Sequence, residues 1–317
     1  MLAHLAFVFY GGPTSTPGTQ TSVLTVIAAE ATLDPMVSFE AAREFVLREA
    51  RVLEQRLFAT LFEDAPPAGV ARALGAYRND DGGLGHCLEP DARCPESQPL
   101  FVAFGLQTLA EAGGRDDELV GGCCDYLASV ADPRGAVPIV LPSVERYPRA
   151  AHWADGRRDP GLHPAVGIAA SLHELGFEHE WLDRATDYCL DELSRQPPSD
   201  AHVLRDTLRF LDVVEDAALR KRTAQAIPQA AWFRRDPHST EYGLTPLQLA
   251  PTPARARMLF SESELAAHLD ALAAAQCEDG GWPISWDPPG AAARLEWRGR
   301  WTVEALATLR AYGRIAG

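Results

Sequence analysis

The chain has 317 residues, of which 46% are hydrophobic and 23% are charged, and this composition is typical of a soluble globular protein. No apolar run approaches the length of a membrane-spanning helix, so the sequence predicts no transmembrane segment. The formal net charge is −15, and no basic stripe is present that could neutralise phosphates. These features exclude nucleic acid as an expected partner.

Cysteine usage indicates a reducing compartment. The six cysteines are spread along a long chain and two of them are adjacent, which is not the spacing of a secreted disulfide scaffold. We therefore expect a cytoplasmic protein with free thiols at Cys87, Cys94, Cys123, Cys124, Cys189 and Cys277.

The first 35 residues differ in composition from the rest of the chain. Residues 2–10 are apolar but follow no Lys or Arg, and residues 11–21 are rich in Gly, Pro, Ser and Thr. A secretory signal would need a charged start and a small-residue cleavage site. We expect a disordered or non-native extension over residues 1–35 and a single domain over residues 36–317.

Beyond Met36, apolar residues recur at three- and four-residue steps, which predicts a series of helices and no strand of convincing length. The first helix is predicted from the N-cap Ser38 to Leu61, and the second from Pro66 to Tyr77. A polar loop follows over residues 79–98. Further helices are predicted over residues 99–112, 116–130, 164–175, 181–193, 201–214, 217–227, 261–276 and 301–312, with irregular segments at 137–160 and 232–260.

One short sequence pattern, which predicts an apolar helix followed by a glycine turn, occurs three times. The copies begin 53 and 145 residues apart, and the longer spacing is close to three units of the shorter one. Helix pairs repeated every ~50 residues bury their apolar faces by closing into a ring. The sequence therefore predicts an all-α (α/α) toroid of five to six helix hairpins. The copies of the pattern are Leu74 to Gly82-Gly83, Leu127 to Gly135-Ala136, and Leu272 to Gly280-Gly281.

In the last copy, Leu272, Gln276, Gly280 and Trp282 match the QW motif of the terpenoid cyclases without a gap. Over residues 36–317 the chain resembles the terpenoid cyclase and protein prenyltransferase superfamily, and in particular bacterial single-domain squalene-cyclase-like or prenyltransferase-like proteins. The resemblance implies a helical toroid whose central cavity receives an isoprenoid. It also implies that Gln276 and Trp282 fasten helices together rather than catalyse a reaction.

The metal and acid motifs of that superfamily are missing. The sequence contains no Asp-x-Asp-Asp acid motif and no Asp-Asp-x-x-Asp magnesium motif, and the zinc ligands of protein prenyltransferases cannot be mapped. The sequence therefore specifies no cofactor: magnesium and zinc stay open, but neither has a supporting motif. If zinc is bound, its ligands are expected to be His86, Cys87 and Cys94 with Cys123 or Cys124, since these ligand types suit zinc. The default expectation for the cysteines is burial among apolar side chains.

The densest polar stretch is the loop over residues 79–98, which is long for a connection between helices and therefore a candidate site. Glu89 and Asp91 flank a proline. If the loop covers the mouth of the toroid, burial keeps one carboxyl protonated as a general acid while Arg93 keeps its neighbour ionised. We expect the acid to be Glu89 or Asp91, with Asp81 as a supporting anion. The alternative is a structural network that caps helix ends.

Six residues are predicted to contact the substrate. His86 and Arg93 belong to the same loop, and His152 and Trp153 form a second polar and aromatic cluster. Trp286 and Trp297 can line a cavity that stabilises carbocations or stacks on sugar rings, whereas we expect Trp282 and Trp301 to lie in the seam of the ring.

Three functions are compatible with these features. The first is a terpenoid-cyclase-like or prenyltransferase-like protein that binds an isoprenoid, with acid-initiated cyclisation as its reaction. The second is a carbohydrate-active α/α-barrel hydrolase, lyase or epimerase, since such barrels also combine carboxylate pairs with tryptophans. The third is a binding scaffold without activity. In each case the expected ligand is a small molecule, and the sequence specifies no oligomeric state.

Overall fold

A computed structural model describes residues 37–154 and 159–315. The predicted extension over residues 1–35 lies outside the described residues. Short 3-10 helices occur at Pro142–Arg146, Ala151–Trp153 and Ile227–Gln229. The described residues contain no β-strand, and their α-helices are α1 Phe39–Glu49, α2 Val52–Phe62, α3 Ala68–Gly75, α4 Pro99–Glu111, α5 Asp117–Val130, α6 Leu162–Glu174, α7 Glu180–Arg195, α8 Ala201–Val213, α9 Ala217–Ala226, α10 Pro246–Leu249, α11 Pro253–Ala256, α12 Glu262–Ala274 and α13 Ala291–Ala311.

Many of the helices begin where the sequence supplies a capping side chain. A side-chain acceptor at the N-cap satisfies one of the backbone N–H groups that the first turn leaves unpaired. The residues that cap in this way are Ser38, Asp116, His179, Asp200, Asp216 and Ser261.

The helices form two layers around a central cavity, as predicted for an (α/α) toroid. Helices α4, α6, α8, α10, α12 and α13 pack in chain order against one another and contribute side chains to the cavity. Helices α3, α5, α7 and α9 pack against the outside of this layer and contribute none. The last helix, α13, packs against α1 and α2, so the two ends of the described domain meet and the ring closes.

The three glycine turns share one hydrogen-bond pattern. In the last copy the Gly280 N–H donates to the carbonyl of Cys277 at 2.9 Å, and the Cys277 N–H donates to the carbonyl of Gly281 at 2.9 Å. The copies at residues 79–83 and 132–136 repeat both bonds at 2.8–3.0 Å. The leading glycine of each turn, Gly82, Gly135 or Gly280, has a φ of 83–95°, which favours glycine over residues with a Cβ.

Each turn also rests against the backbone of another helix. A Cβ at Gly82 would lie 2.6 Å from the carbonyl oxygen of Gly122 in α5, and one at Gly135 would lie 2.8 Å from the nitrogen of Ala185 in α7. At Gly280 the corresponding distance, to the carbonyl oxygen of Ala41 in α1, is 2.1 Å. The contact that joins successive units therefore also joins the last unit to the first.

Gln276 and Trp282 fasten this closing contact. The Gln276 side chain accepts a hydrogen bond from the Ser38 N–H at 2.8 Å and donates to the carbonyls of Ser38 and Gly280, each at 2.9 Å. Trp282 is fully buried, and its indole N–H donates to the carbonyl of Leu272 at 2.7 Å. Burial of a side chain this large stabilises the fold by about 4–6 kcal/mol.

Two predicted boundaries were wrong, and both errors concern the meeting of α13 with the first helices. The single helix predicted from Ser38 to Leu61 is broken at Ala50, which has an extended backbone with ψ 158°. Gly299 of α13 crosses at this break, where its Cβ would lie 2.6 Å from the Cβ of Ala50. Helix α13 begins at Ala291, ten residues before the predicted start at 301. The run Ala291-Ala-Ala-Arg consists of strong helix formers, which explains the earlier start.

Candidate functional site

The central cavity has a volume of about 980 Å³, at the upper end of the range for small-molecule sites. It has an aromatic side and a polar side. Four predicted site residues lie on its wall near one another: Asp91, His152, Trp286 and Trp297. Glu89 and Trp153 also line it.

The loop that carries the two carboxyl groups is held from several directions. Backbone N–H groups of His86 and Cys87 donate to the carbonyls of Pro95 and Cys94 across the loop, at 3.1 and 3.0 Å. The Arg51 side chain in turn donates to the carbonyl of Leu88 at 2.7 Å. These bonds fix the segment from both ends, so that residues 88–92 are buried inside the fold.

Asp91 occupies the centre of the site. Its Oδ1 accepts hydrogen bonds from two indole N–H groups, that of Trp297 at 2.9 Å and that of Trp286 at 3.4 Å. Its Oδ2 lies 3.5 Å from Nε2 of His152. The residue is 4% exposed. One carboxyl oxygen is thus held by donors, while the other is turned toward an imidazole.

Both carboxyl groups have raised pKa values. Burial raises the pKa of Asp91 to about 6, against the opposing effect of the hydrogen bonds from Trp297 and Trp286. Burial also raises the pKa of Glu89 well above its usual value, and the nearby Asp91 carboxylate raises it further. The Asp91 N–H donates to Oε2 of Glu89 at 3.1 Å, which only partly offsets these effects. Burial and the nearby Asp91 therefore favour the protonated form of Glu89, while Asp91 exchanges its proton near pH 6.

Five aromatic rings form a continuous row along the cavity wall. Successive ring centroids lie 5.2–6.0 Å apart with interplanar angles of 63–77°, which are edge-to-face contacts. The faces of such rings attract positive charge. In order, the row consists of Phe104, Trp297, Trp286, Tyr242 and Trp232.

Helix α8 supplies the polar side of the cavity, which the sequence analysis missed. Asp206 is 4% exposed and accepts a hydrogen bond from Nε of Arg205 at 2.8 Å. Burial alone would raise the pKa of Asp206, but Arg205 and its neighbours lower it below the usual value, so this carboxyl is ionised. The polar residues His202, Arg205, Asp206 and Arg209 recur at helical spacing within an apolar sequence. This polar stripe is visible in the sequence and could have identified the polar side of the cavity.

Three predicted site residues do not line the cavity. Asp81 is part of the first glycine turn, where its Oδ1 accepts hydrogen bonds from the Gly83 N–H at 2.9 Å and the Ser97 hydroxyl at 2.7 Å. His86 is exposed to solvent. Arg93 donates two hydrogen bonds to Glu296, at 2.5 and 3.3 Å, instead of acting on Glu89 or Asp91. It does so because α13 starts early enough to bring Glu296 beside the loop.

Trp282 and Trp301, predicted for the seam, also border the cavity. Within residues 37–154 and 159–315, no group of three or more His, Cys, Asp or Glu side chains is arranged to hold a metal ion. The zinc-type ligands near His86 are thus not gathered into a site there. No helix of the described part of the chain is both long and apolar enough to cross a bilayer.

No protein-family model matches the sequence, and no curated protein matches it. Among solved structures, the fold is similar to that of a type II terpene cyclase, a variant of MstE from Scytonema in complex with its substrate geranylgeranyl dihydroxybenzoate. The alignment covers 86% of this chain and 96% of that chain, with a TM-score of 0.51 and 13% identity. At this identity the likeness establishes a terpenoid-cyclase-like toroid fold, and the chemistry has to be argued from the site.

Proposed function

We propose that the protein is a terpenoid-cyclase-like enzyme that binds an isoprenoid in the central cavity and starts its cyclisation by protonating a double bond. The observation that carries the proposal is Asp91, a buried carboxyl with a pKa of about 6 that lies beside a row of aromatic rings. A proton donor and a cation-stabilising wall are the two components that such a reaction needs.

In this mechanism the transferable proton is on Oδ2 of Asp91. It passes to one carbon of an alkene, the electron pair of the double bond forms the new C–H bond, and the other carbon becomes cationic. The carboxylate left behind is stabilised by the indole N–H groups that Oδ1 already accepts. Because these donors are in place before the proton leaves, no reorganisation is needed in the transition state.

Glu89 and the tryptophans support this step in different ways. Burial raises the pKa of Glu89 and favours its protonated form, which adds no second negative charge that would hold the proton on Asp91. The rings of Trp286 and Trp297 extend from the acid along the wall, where successive cationic centres of a folded polyene would lie. Helix α13 holds Trp297 in place through Arg300, which is buried and donates two hydrogen bonds to the Glu111 carboxylate of α4, at 2.7 and 2.6 Å.

The test is incubation of the purified protein with geranylgeraniol and with geranylgeranyl dihydroxybenzoate in deuterium oxide, followed by mass spectrometry. Protonation by an exchangeable acid should give a cyclic product that carries one deuterium on carbon. The Asp91→Asn variant should give none. Conversion by this variant at the wild-type rate, or a wild-type product without deuterium, would refute the assignment.

A carbohydrate-active enzyme is the second candidate, and the polar side of the cavity favours it. The ionised Asp206 and the side chains of His202 and Arg205 could bind hydroxyl groups while a tryptophan stacks on a sugar ring. A β-linked glucan oligosaccharide belongs in the same substrate panel for this reason. Its cleavage, without conversion of either isoprenoid, would favour this candidate, and no conversion at all would favour a binding scaffold.

A further inference from the structure

A second set of proton-carrying groups lies on the cavity wall, on the polar side. Asp200, His202 and Tyr242 form a hydrogen-bonded chain in which Oδ1 of Asp200 lies 3.1 Å from Nδ1 of His202, and Nε2 of His202 lies 2.7 Å from the Tyr242 hydroxyl. All three residues line the cavity. The protonation step assigned to Asp91 does not use these three residues.

Protons can move in one defined direction along these hydrogen bonds, from Tyr242 toward His202. Burial alone would raise the pKa of Asp200, but the hydrogen bond from the His202 ring and the backbone N–H groups of His202 and Val203 lower it below its usual value. Asp200 is therefore a carboxylate that accepts the Nδ1–H of His202. That tautomer leaves Nε2 unprotonated, so the Tyr242 hydroxyl donates to it and keeps its own oxygen lone pairs for a ligand.

Trp286 lies between the hydrogen-bonded chain of Asp200, His202 and Tyr242 and the acid Asp91. Its indole N–H donates to Asp91, and its ring centroid lies 5.8 Å from that of Tyr242 in an edge-to-face contact. Tyr242 is 40% exposed and is part of the aromatic row, so its ring adjoins the path along which a cation would migrate. The acid and the tyrosine hydroxyl are thus separated along the row by one indole ring.

We propose that Tyr242, held by the positioning residues His202 and Asp200, removes the proton that ends the reaction and thereby makes the product a cyclic alkene. This inference rests on the proposed function and assigns the second half of that reaction. It also restricts the product class, because a cation quenched by water would give an alcohol instead.

The step balances without a further reactant. A C–H bond next to the last cationic carbon breaks, its electron pair becomes the new double bond, and the proton goes to Oη of Tyr242. The original hydroxyl proton of Tyr242 moves to Nε2 of His202. The resulting imidazolium is paired with the Asp200 carboxylate. One proton has then left Asp91 and one has reached His202, so the substrate is isomerised without net gain or loss of atoms.

The deciding variant is Tyr242→Phe, which removes the hydroxyl but keeps the ring against Trp286. Tyr147→Phe is the matched control, because the Tyr147 hydroxyl donates a hydrogen bond to Oε1 of Glu96 at 3.1 Å and Tyr147 does not line the cavity. Both variants are incubated with geranylgeraniol and with geranylgeranyl dihydroxybenzoate, and substrate consumption is measured separately from the ratio of alkene to alcohol products.

The expected result is that Tyr242→Phe diverts most of the product that it forms to alcohols or to other double-bond isomers. His202→Asn and Asp200→Asn should divert it partially, and the control should not. An unchanged product ratio in Tyr242→Phe would overturn the inference while leaving the acid step intact. A wild-type protein that consumes no isoprenoid would overturn both, and this outcome is distinct because no deuterium would be incorporated.

Discussion

Replacing Asp91 with asparagine distinguishes a catalytic role of this carboxyl group from a structural role. The variant keeps the shape of the side chain and an acceptor oxygen for the two indole N–H groups, but it has no proton to transfer. If Asp91 is the acid, conversion should stop. If Asp91 only holds the loop, as the capping alternative supposes, conversion should persist and the fold should weaken.

The stability change follows from the pKa of Asp91. Its value rises from 3.8 to about 6 on folding, so the folded protein binds this proton more tightly than the unfolded chain does. Stability from this group is therefore complete below pH 3.8 and is lost as the pH rises through about 6. Two pKa units correspond to about 3 kcal/mol. Asparagine removes this pH-dependent loss of stability and should stabilise the protein by up to about 3 kcal/mol at pH 7.5, but by only about 0.5 kcal/mol at pH 4.

The assay is thermal or denaturant unfolding of both proteins at pH 4 and pH 7.5, alongside conversion of isoprenoid. A gain of about 3 kcal/mol corresponds to a rise of roughly 6 °C in Tm for a domain of this size. Equal stability differences at the two pH values would contradict the reasoning, as would a loss of stability at pH 7.5.

Asp81→Asn is the matched control for this measurement. Asp81 Oδ1 accepts hydrogen bonds from Gly83 and Ser97 away from the cavity. We expect this variant to lose about 1–2 kcal/mol of stability and to keep its activity.

Four further predictions concern the pH dependence of conversion, Glu89, Trp297 and the glycine turn at Gly280. The rate of conversion should increase as the pH falls through about 6, because Asp91 must be protonated to react. Glu89→Gln should retain conversion, because glutamine mimics the protonated form that burial and the nearby Asp91 favour; loss of conversion in Glu89→Gln with the fold intact would transfer the acid role to Glu89. Trp297→Phe keeps an aromatic ring at this position but removes the indole N–H that donates to the Asp91 carboxylate, which should lower kcat by about 10- to 100-fold. An unchanged kcat would show that this hydrogen bond does not stabilise the transition state. Gly280→Ala places a Cβ against α1 at a φ of 91° and should cost about 2–5 kcal/mol, while the control Gly113→Ala, with φ 65° and no atom within 4 Å, should cost only about 1 kcal/mol in the same unfolding experiment.

The fold could be predicted because its determinants are local and repeated. The three glycine turns are visible as short sequence patterns, and each adopts the same geometry because the same backbone hydrogen bonds and the same positive φ are required each time. Apolar spacing identified most of the helices, since a stripe at 3.6-residue period is the signature of a helix that buries one face. The break at Ala50 escaped prediction because its apparent cause is the crossing of Gly299, some 250 residues later in the sequence.

The candidate site also has features that the sequence predicts and features that it does not. The sequence by itself singled out Glu89 and Asp91, since a polar loop of that length and stiffness stands out from its helical surroundings, and it singled out Trp286 and Trp297 by composition. Only the tertiary structure determined which groups act on one another. It paired Arg93 with Glu296, directed two indole N–H groups at Asp91, and placed Tyr242 and helix α8 on the same cavity wall. The physical reason is that burial and hydrogen bonding set the proton affinity of a carboxyl, and both depend on neighbours brought together by ring closure rather than by sequence proximity.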